Sequence, residues 1–180
     1  LIEEINKIID SRLLKAKKEE NTELLSKTYA IIQEPNTGEI LAITGRQIIK
    51  NNNSYDFYDI TPYALTDPMT PGSVVKGASM LVGFNTGVIS PGEVMNDECI
   101  KLYNLPKKCS SHQIGRINDI KALAESSNVY QFKIAMRIAG IDYKYNVVGD
   151  ASKKEFDIYR NTFKEFGLGV KTGIDLPNEN

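Results

Sequence analysis

Ser73 and Lys76 stand three residues apart in the stretch TPGSVVKGASMLVGF, behind a Pro-Gly pair and at the head of an apolar run. A helix beginning near Ser73 puts both side chains on one face, one turn apart. A serine hydroxyl is a weak nucleophile near neutral pH and needs a base to take its proton as it attacks. Lysine is that base only when neutral, and burial or the positive end of a helix dipole lowers its pKa toward that state. The same helix start directs the backbone N–H of Ser73 at an oxyanion formed on an attacked carbonyl. Standing alone, the spacing equally describes a serine N-cap followed by an exposed lysine.

A second group, Ser126-Ser127-Asn128, follows about 50 residues later. In a short extended link, residues i and i+2 point the same way, so Ser126 and Asn128 face one cleft. A hydroxyl there relays a proton, and an amide offers a donor and an acceptor for holding a peptide backbone in register. The competing reading is an N-cap ahead of a helix. His112, the only histidine, reads as a loop residue, and Glu125 as a carboxylate at a helix end.

Several elements must position these groups. From Ser73 to Asn85 the residues Val74, Val75, Gly77, Ala78, Met80, Leu81, Val82 and Phe84 leave almost no polar face, which predicts a helix buried nearly all round, with Lys76 beside a core. INDIKALAESSNVYQFKIAMRIAG reads as two helices parted at Ser126-Ser127-Asn128, the second closed by Gly140. ASKKEFDIYRNTFKEFG predicts a further amphipathic helix ending at Gly167. At the other end, Leu1, Ile2, Ile5, Ile8, Ile9, Leu13 and Leu14 recur at helical spacing. TYAIIQEPNTGEILAIT predicts a β-hairpin turning at Pro35-Asn36-Thr37-Gly38, where glycine supplies a positive φ. Residues 45 to 72, with Asn51-Asn52-Asn53 and several tyrosines, read as a long ordered loop or a partly helical excursion, and 86 to 117 as irregular. The order of helix, hairpin and helical block is an α+β arrangement whose sheet is unfinished.

The chain has 180 residues, 41% of them hydrophobic, enough for one ordinary core. A net charge of -1 and a pI near 6.0 give no global field toward nucleic acid or an anionic membrane surface. No run of about 18 apolar residues or signal peptide is present. The leading Leu1 suggests an excised segment. Cys99 and Cys109 lack the paired spacing of a zinc site, and their pairing is left open.

Four stretches together, in order, carry a family resemblance: IIQEPNTGEILAIT, PGSVVKGAS, NDIKALAESSNVYQF and FGLGVKTGIDLPNE. The chain resembles the transpeptidase domain of penicillin-binding proteins over nearly its whole length, and most of all the monofunctional class B type of Gram-positive bacteria. The resemblance implies a transpeptidase fold shared with serine β-lactamases, here truncated. Residues 1–45 would be the helix and hairpin of the sheet, and 46–180 the mainly helical part. It implies that Ser73 attacks the D-alanyl-D-alanine end of a peptidoglycan stem peptide, and that an amine from a neighbouring strand resolves the acyl-enzyme as a cross-link. β-Lactam antibiotics would acylate the same serine. Lys76 is then the base, Ser126 relays a proton toward the leaving amine, and Asn128 holds the substrate amide and helps to fix Lys76. No role passes to Ser127, and no metal or cofactor is implied. The implied setting is the extracytoplasmic face of the bacterial cell membrane, among other cell-wall synthesis proteins, with the anchor outside this segment. A serine β-lactamase and a non-catalytic β-lactam sensor are the alternatives.

Lys171-Thr172-Gly173 matches the third motif of that family only superficially. The family's triplet lies on a sheet strand, whereas here IDLPNEN follows, and Pro177 with its polar neighbours opposes a strand. The third motif and the C-terminal strands are therefore expected to be missing from this chain, and the segment on its own to be inactive.

Overall fold

A computed structural model describes residues 1–146 and 152–176, and these group into two compact units. One comprises Leu1–Met69 with the chain from Gly173 onward, and the other Thr70–Thr172.

In the first unit, Ile5, Ile9 and Leu13 recur every fourth residue and form the inner face of helix α1, Ile2–Ala16. They pack against Ile48, Ala30, Tyr55 and Phe57 of a three-stranded antiparallel sheet. The apolar face is narrower than the sequence pattern, since Leu1, Ile2, Ile8 and Leu14 are exposed. Along its rim Arg46 donates to both carboxylate oxygens of Asp10, at 2.8 and 2.6 Å. The sheet runs β1 (Lys27–Gln33), β2 (Ile40–Asn51), β3 (Ser54–Asp59) in that order. The predicted hairpin is β1 and β2, and Gly38 has the expected positive φ of 78°.

Strand β3 corrects the loop expected over 45 to 72. Asn51-Asn52-Asn53 is its turn, with Asn52 at φ 51°, and Asn51 pairs with Ser54 across it. Asparagine tolerates the left-handed region, which is how a triplet without glycine makes a two-residue hairpin. Residues beyond β3 stay with this unit: Ile60 N–H donates to Gly45 O at 2.9 Å, and Lys27 Nζ and Tyr29 Oη both donate to Asp67. Side chains alternate across a strand. The sheet face opposite α1 therefore presents Ile31, Leu41, Ile49 and Tyr58, each 44 to 50% exposed.

The second unit is built on helices α2 (Lys76–Asn85), α3 (Asp119–Ala124), α4 (Asn128–Ile138) and α5 (Lys153–Glu165), with a two-stranded ribbon of β4 (Met95–Asp97) and β5 (Gly115–Ile117). Its core joins Met80 of α2 with Ile89, Met95, Ile117, Ala122, Tyr130 and Ile134. Helices α2 and α4 meet closely at Gly83, where an added Cβ would fall 2.9 Å from Ile89 and 3.0 Å from Ile134. Helix α5 begins with a reciprocal capping box between Ser152 and Glu155, a start signal absent from its apolar periodicity.

Helix α2 is not buried all round, as its apolar composition suggested. Val74 is 83% exposed and Leu81 39%, and with Gly77 and Asn85 they form an outward stripe, while Met80, Val82 and Gly83 are buried. Only the stripe that faces α4 and the core is buried. Apolar composition overstates burial for a helix lying on the surface of its unit.

Candidate active site

Pro71-Gly72 turns the chain into the site, with Gly72 at φ 61°. Ser73 then lies on a 3₁₀ turn, Gly72–Val75, and Lys76 opens α2. The first turn is tighter than the predicted α-helix, and in a 3₁₀ turn residues i and i+3 eclipse. Ser73 and Lys76 are thereby stacked, with the Lys76 N–H donating to Ser73 O.

The Lys76 side chain reaches across to the turn between α3 and α4. Its ammonium donates to Ser126 O at 2.5 Å, Asn128 Oδ1 at 2.7 Å and Ser126 Oγ at 3.0 Å. An ammonium has three hydrogens, and all three have acceptors here. Desolvation in this half-buried setting lowers the Lys76 pKa below the usual lysine range, and the Asp97 carboxylate partly opposes the shift. The Ser73 hydroxyl is exposed and makes no hydrogen bond among the described residues. Three of the four residues singled out in the sequence are thus bonded together, with Ser73 on the adjoining turn.

The turn achieves this convergence differently from the extended link expected. Ser126 N–H bonds Leu123 O at 3.1 Å and Ser127 N–H bonds Ala122 O at 2.8 Å, which is a Schellman closure of α3. Its left-handed position, usually glycine, is Ser126 at φ 53°. Ser127 then caps α4, accepting from Tyr130 N–H at 2.9 Å. A non-glycine residue in that region is strained, and such strain collects at functional sites. Ser126→Gly removes about 1–2 kcal/mol of left-handed strain and adds about 0.5–1 kcal/mol of unfolded-state entropy. We expect thermal stability within about 1 kcal/mol of the parent, which paired melting curves check.

His112 and Glu125 lie outside this cluster: their side chains approach one another at 3.3 Å on an exposed edge, and Glu125 caps the end of α3, as read. Lys171-Thr172-Gly173 lies in no strand of the described residues, and Pro177 falls outside them. What the sequence did not disclose is the buried support beneath the turn, formed by Asp97, Ser110 and Ser127. Cys99 and Cys109, whose pairing was left open, are joined by a disulfide next to it.

The site thus joins a serine-bearing turn stacked on a lysine with a Ser-x-Asn turn that closes over that lysine. The family model for the penicillin-binding protein transpeptidase domain matches residues 28–180, and the chain belongs to that family. It is 40% identical over 176 residues to penicillin-binding protein 2A of Bacillus subtilis strain 168, covering 97% of this chain and 25% of that protein. Penicillin-binding protein 2B of Streptococcus pneumoniae strain D39 is 34% identical over 160 residues, covering 84% and 23%. Among solved structures, penicillin-binding protein 2B of Streptococcus pneumoniae strain 5204 superposes with a TM-score of 0.87 at 27% identity, over 99% of this chain and 30% of that one. The fold is accordingly that of the penicillin-binding protein transpeptidases, and the chain spans about a quarter of the length of the curated relatives it matches.

Proposed function

We propose that this chain carries the nucleophile and base of a peptidoglycan D,D-transpeptidase, with Ser73 as nucleophile, Lys76 as base, Ser126 as proton relay and Asn128 as the group that receives the substrate amide. The observation that carries this reading is the bonding of one half-buried lysine to both Ser126 and Asn128, one turn from Ser73. Neutral Lys76 keeps two N–H donors and gains a lone pair, so one of its three acceptors is released and the lone pair takes the Ser73 proton. The Ser73 oxygen bonds to the carbonyl carbon of a D-alanyl-D-alanine terminus, and the C–N bond breaks. Ser126, 3.0 Å from the lysine nitrogen, passes the proton to the departing amine. A second amine then attacks the ester, frees Ser73 and completes the cross-link. A β-lactam follows the same path as far as the acyl-enzyme.

The proposed setting is the extracytoplasmic face of the membrane, in company with cell-wall synthesis proteins. The Cys99–Cys109 disulfide supports an oxidising compartment. No helix among the described residues is long and apolar enough to cross a membrane.

The test is to treat the complete protein with fluorescent penicillin and map the adduct by mass spectrometry. Stable acylation at Ser73, with cross-linking of stem-peptide substrate, is expected. Rapid turnover of nitrocefin would replace this reading with a β-lactamase. Long-lived acylation without any cross-linking would replace it with a sensor.

A further inference from the structure

Asp97 closes β4 with only 5% of its surface exposed, and its carboxylate lies beneath the start of α4. It accepts from the hydroxyls of Ser127 and of Ser110, the latter at 2.9 Å. Those two hydroxyls in turn accept the first three backbone N–H groups of α4. Asn128 and Val129 donate to Ser110 Oγ at 3.0 and 3.3 Å, and Tyr130 donates to Ser127 Oγ at 2.9 Å. The orphan donors of the helix start are thus relayed onto one negative charge, the sign that the helix dipole favours there. Buried hydroxyls bonded to a carboxylate are firmly oriented, because charge-assisted bonds are the strong ones.

This arrangement holds Ser126. Its left-handed backbone persists only where the surroundings over-determine it. The Schellman bonds fix it from α3, and the Asp97 relay fixes it from α4. The carboxylate is itself held by covalent structure. Cys99 is two residues beyond Asp97, Cys109 immediately precedes Ser110, and the segments between them pair through Ile100 and Lys108 at 2.8 and 2.9 Å. Asn128 Nδ2 also reaches Cys109 O at 3.4 Å, so the bridged loop touches the site directly.

We propose that Asp97 is a positioning residue for the Ser126–Asn128 turn, acting through Ser110 and Ser127, and that the Cys99–Cys109 disulfide keeps its carboxylate in place. This role rests on the transpeptidase reading of Ser73 and Lys76. The Asp97 carboxylate also acts on Lys76 through space, favouring its ammonium against the desolvation that opposes it. Asp97 also acts on Lys133, which Glu98 and Arg137 face as well.

The experiment measures acylation by fluorescent penicillin as a function of pH in the complete protein and in its Asp97→Asn, Ser127→Ala and Cys99→Ser/Cys109→Ser variants, alongside thermal melting. A misplaced catalytic group costs up to about 10²-fold, so each variant is expected to acylate about 10–100-fold more slowly in its folded form. In Asp97→Asn the acid limb of the rate profile is expected to move to lower pH, because the anion that favours protonated Lys76 is gone. Asp97→Asn and Ser127→Ala combined should cost no more than the larger single effect. A merely structural acid would lower the melting temperature and leave the rate constant and pH limb of the folded protein unchanged, and that result overturns the proposal. Should Asp97→Asn fail to fold, acylation at the parental rate in folded Ser127→Ala overturns it equally. A parent that is not acylated at Ser73 removes the transpeptidase reading and this role with it.

Discussion

Lys76→Met is expected to slow acylation of Ser73 by about 10²–10⁴-fold in the complete protein, the range a positioned general base supplies. Methionine keeps the unbranched length and the contacts of the stem, so α2 and its packing should survive, and a melting curve verifies that. The loss should fall on the acylation rate constant, with non-covalent affinity for the β-lactam little altered. The parent's profile supplies the second half of the prediction. In the proposed mechanism neutral Lys76 is the active form, so acylation is expected to rise with pH through the lysine's pKa, on a limb that burial sets below the ordinary lysine value. The limb should vanish in Lys76→Met. A variant that acylates within threefold of about the parent rate, with the limb intact, would remove Lys76 from the role of base.

The second large effect concerns the 180 residues handled alone. Incubated with fluorescent penicillin, they are expected to label at Ser73 slower than the complete protein by about 10²–10³-fold or more, the cost of one oxyanion donor, which the family resemblance implies would come from the third-motif strand. The described residues bring together Ser73, Lys76 and the Ser-x-Asn turn. Among the described residues, no strand lies at Lys171-Thr172-Gly173. Labelling at the rate of the complete protein would show that the four residues and their supports suffice.

Local regularity decided how much could be read from the residues. Helices α1, α4 and α5 and the β1–β2 hairpin follow from their periods and stop signals, because each is specified by its own sequence. That Lys76 and the Ser-Ser-Asn turn belong to one cluster was legible in the sequence. Its geometry was not, since Ser126 converges with Asn128 through a left-handed residue and a helix cap, and no extended link is involved. Strand β3 escaped notice because SYDFYD mixes acids with aromatics and turns on asparagine alone. Asp97 and Ser110 carry no periodic signature. Three-residue strands and a bridge over ten positions bring them under α4, and such long-range pairing has no local trace.

The sheet of the first unit carries a practical consequence for anyone working with these residues in isolation. Strands β1 and β3 each pair on one side only among the described residues, and Ile31, Leu41, Ile49 and Tyr58 line the face turned away from α1. Unpaired strand borders beside a greasy surface recruit other copies by backbone pairing. Dilute samples and a solubilising fusion partner are therefore the sound choice at the bench, because clumped material would hide the nucleophile and imitate a chemically silent one.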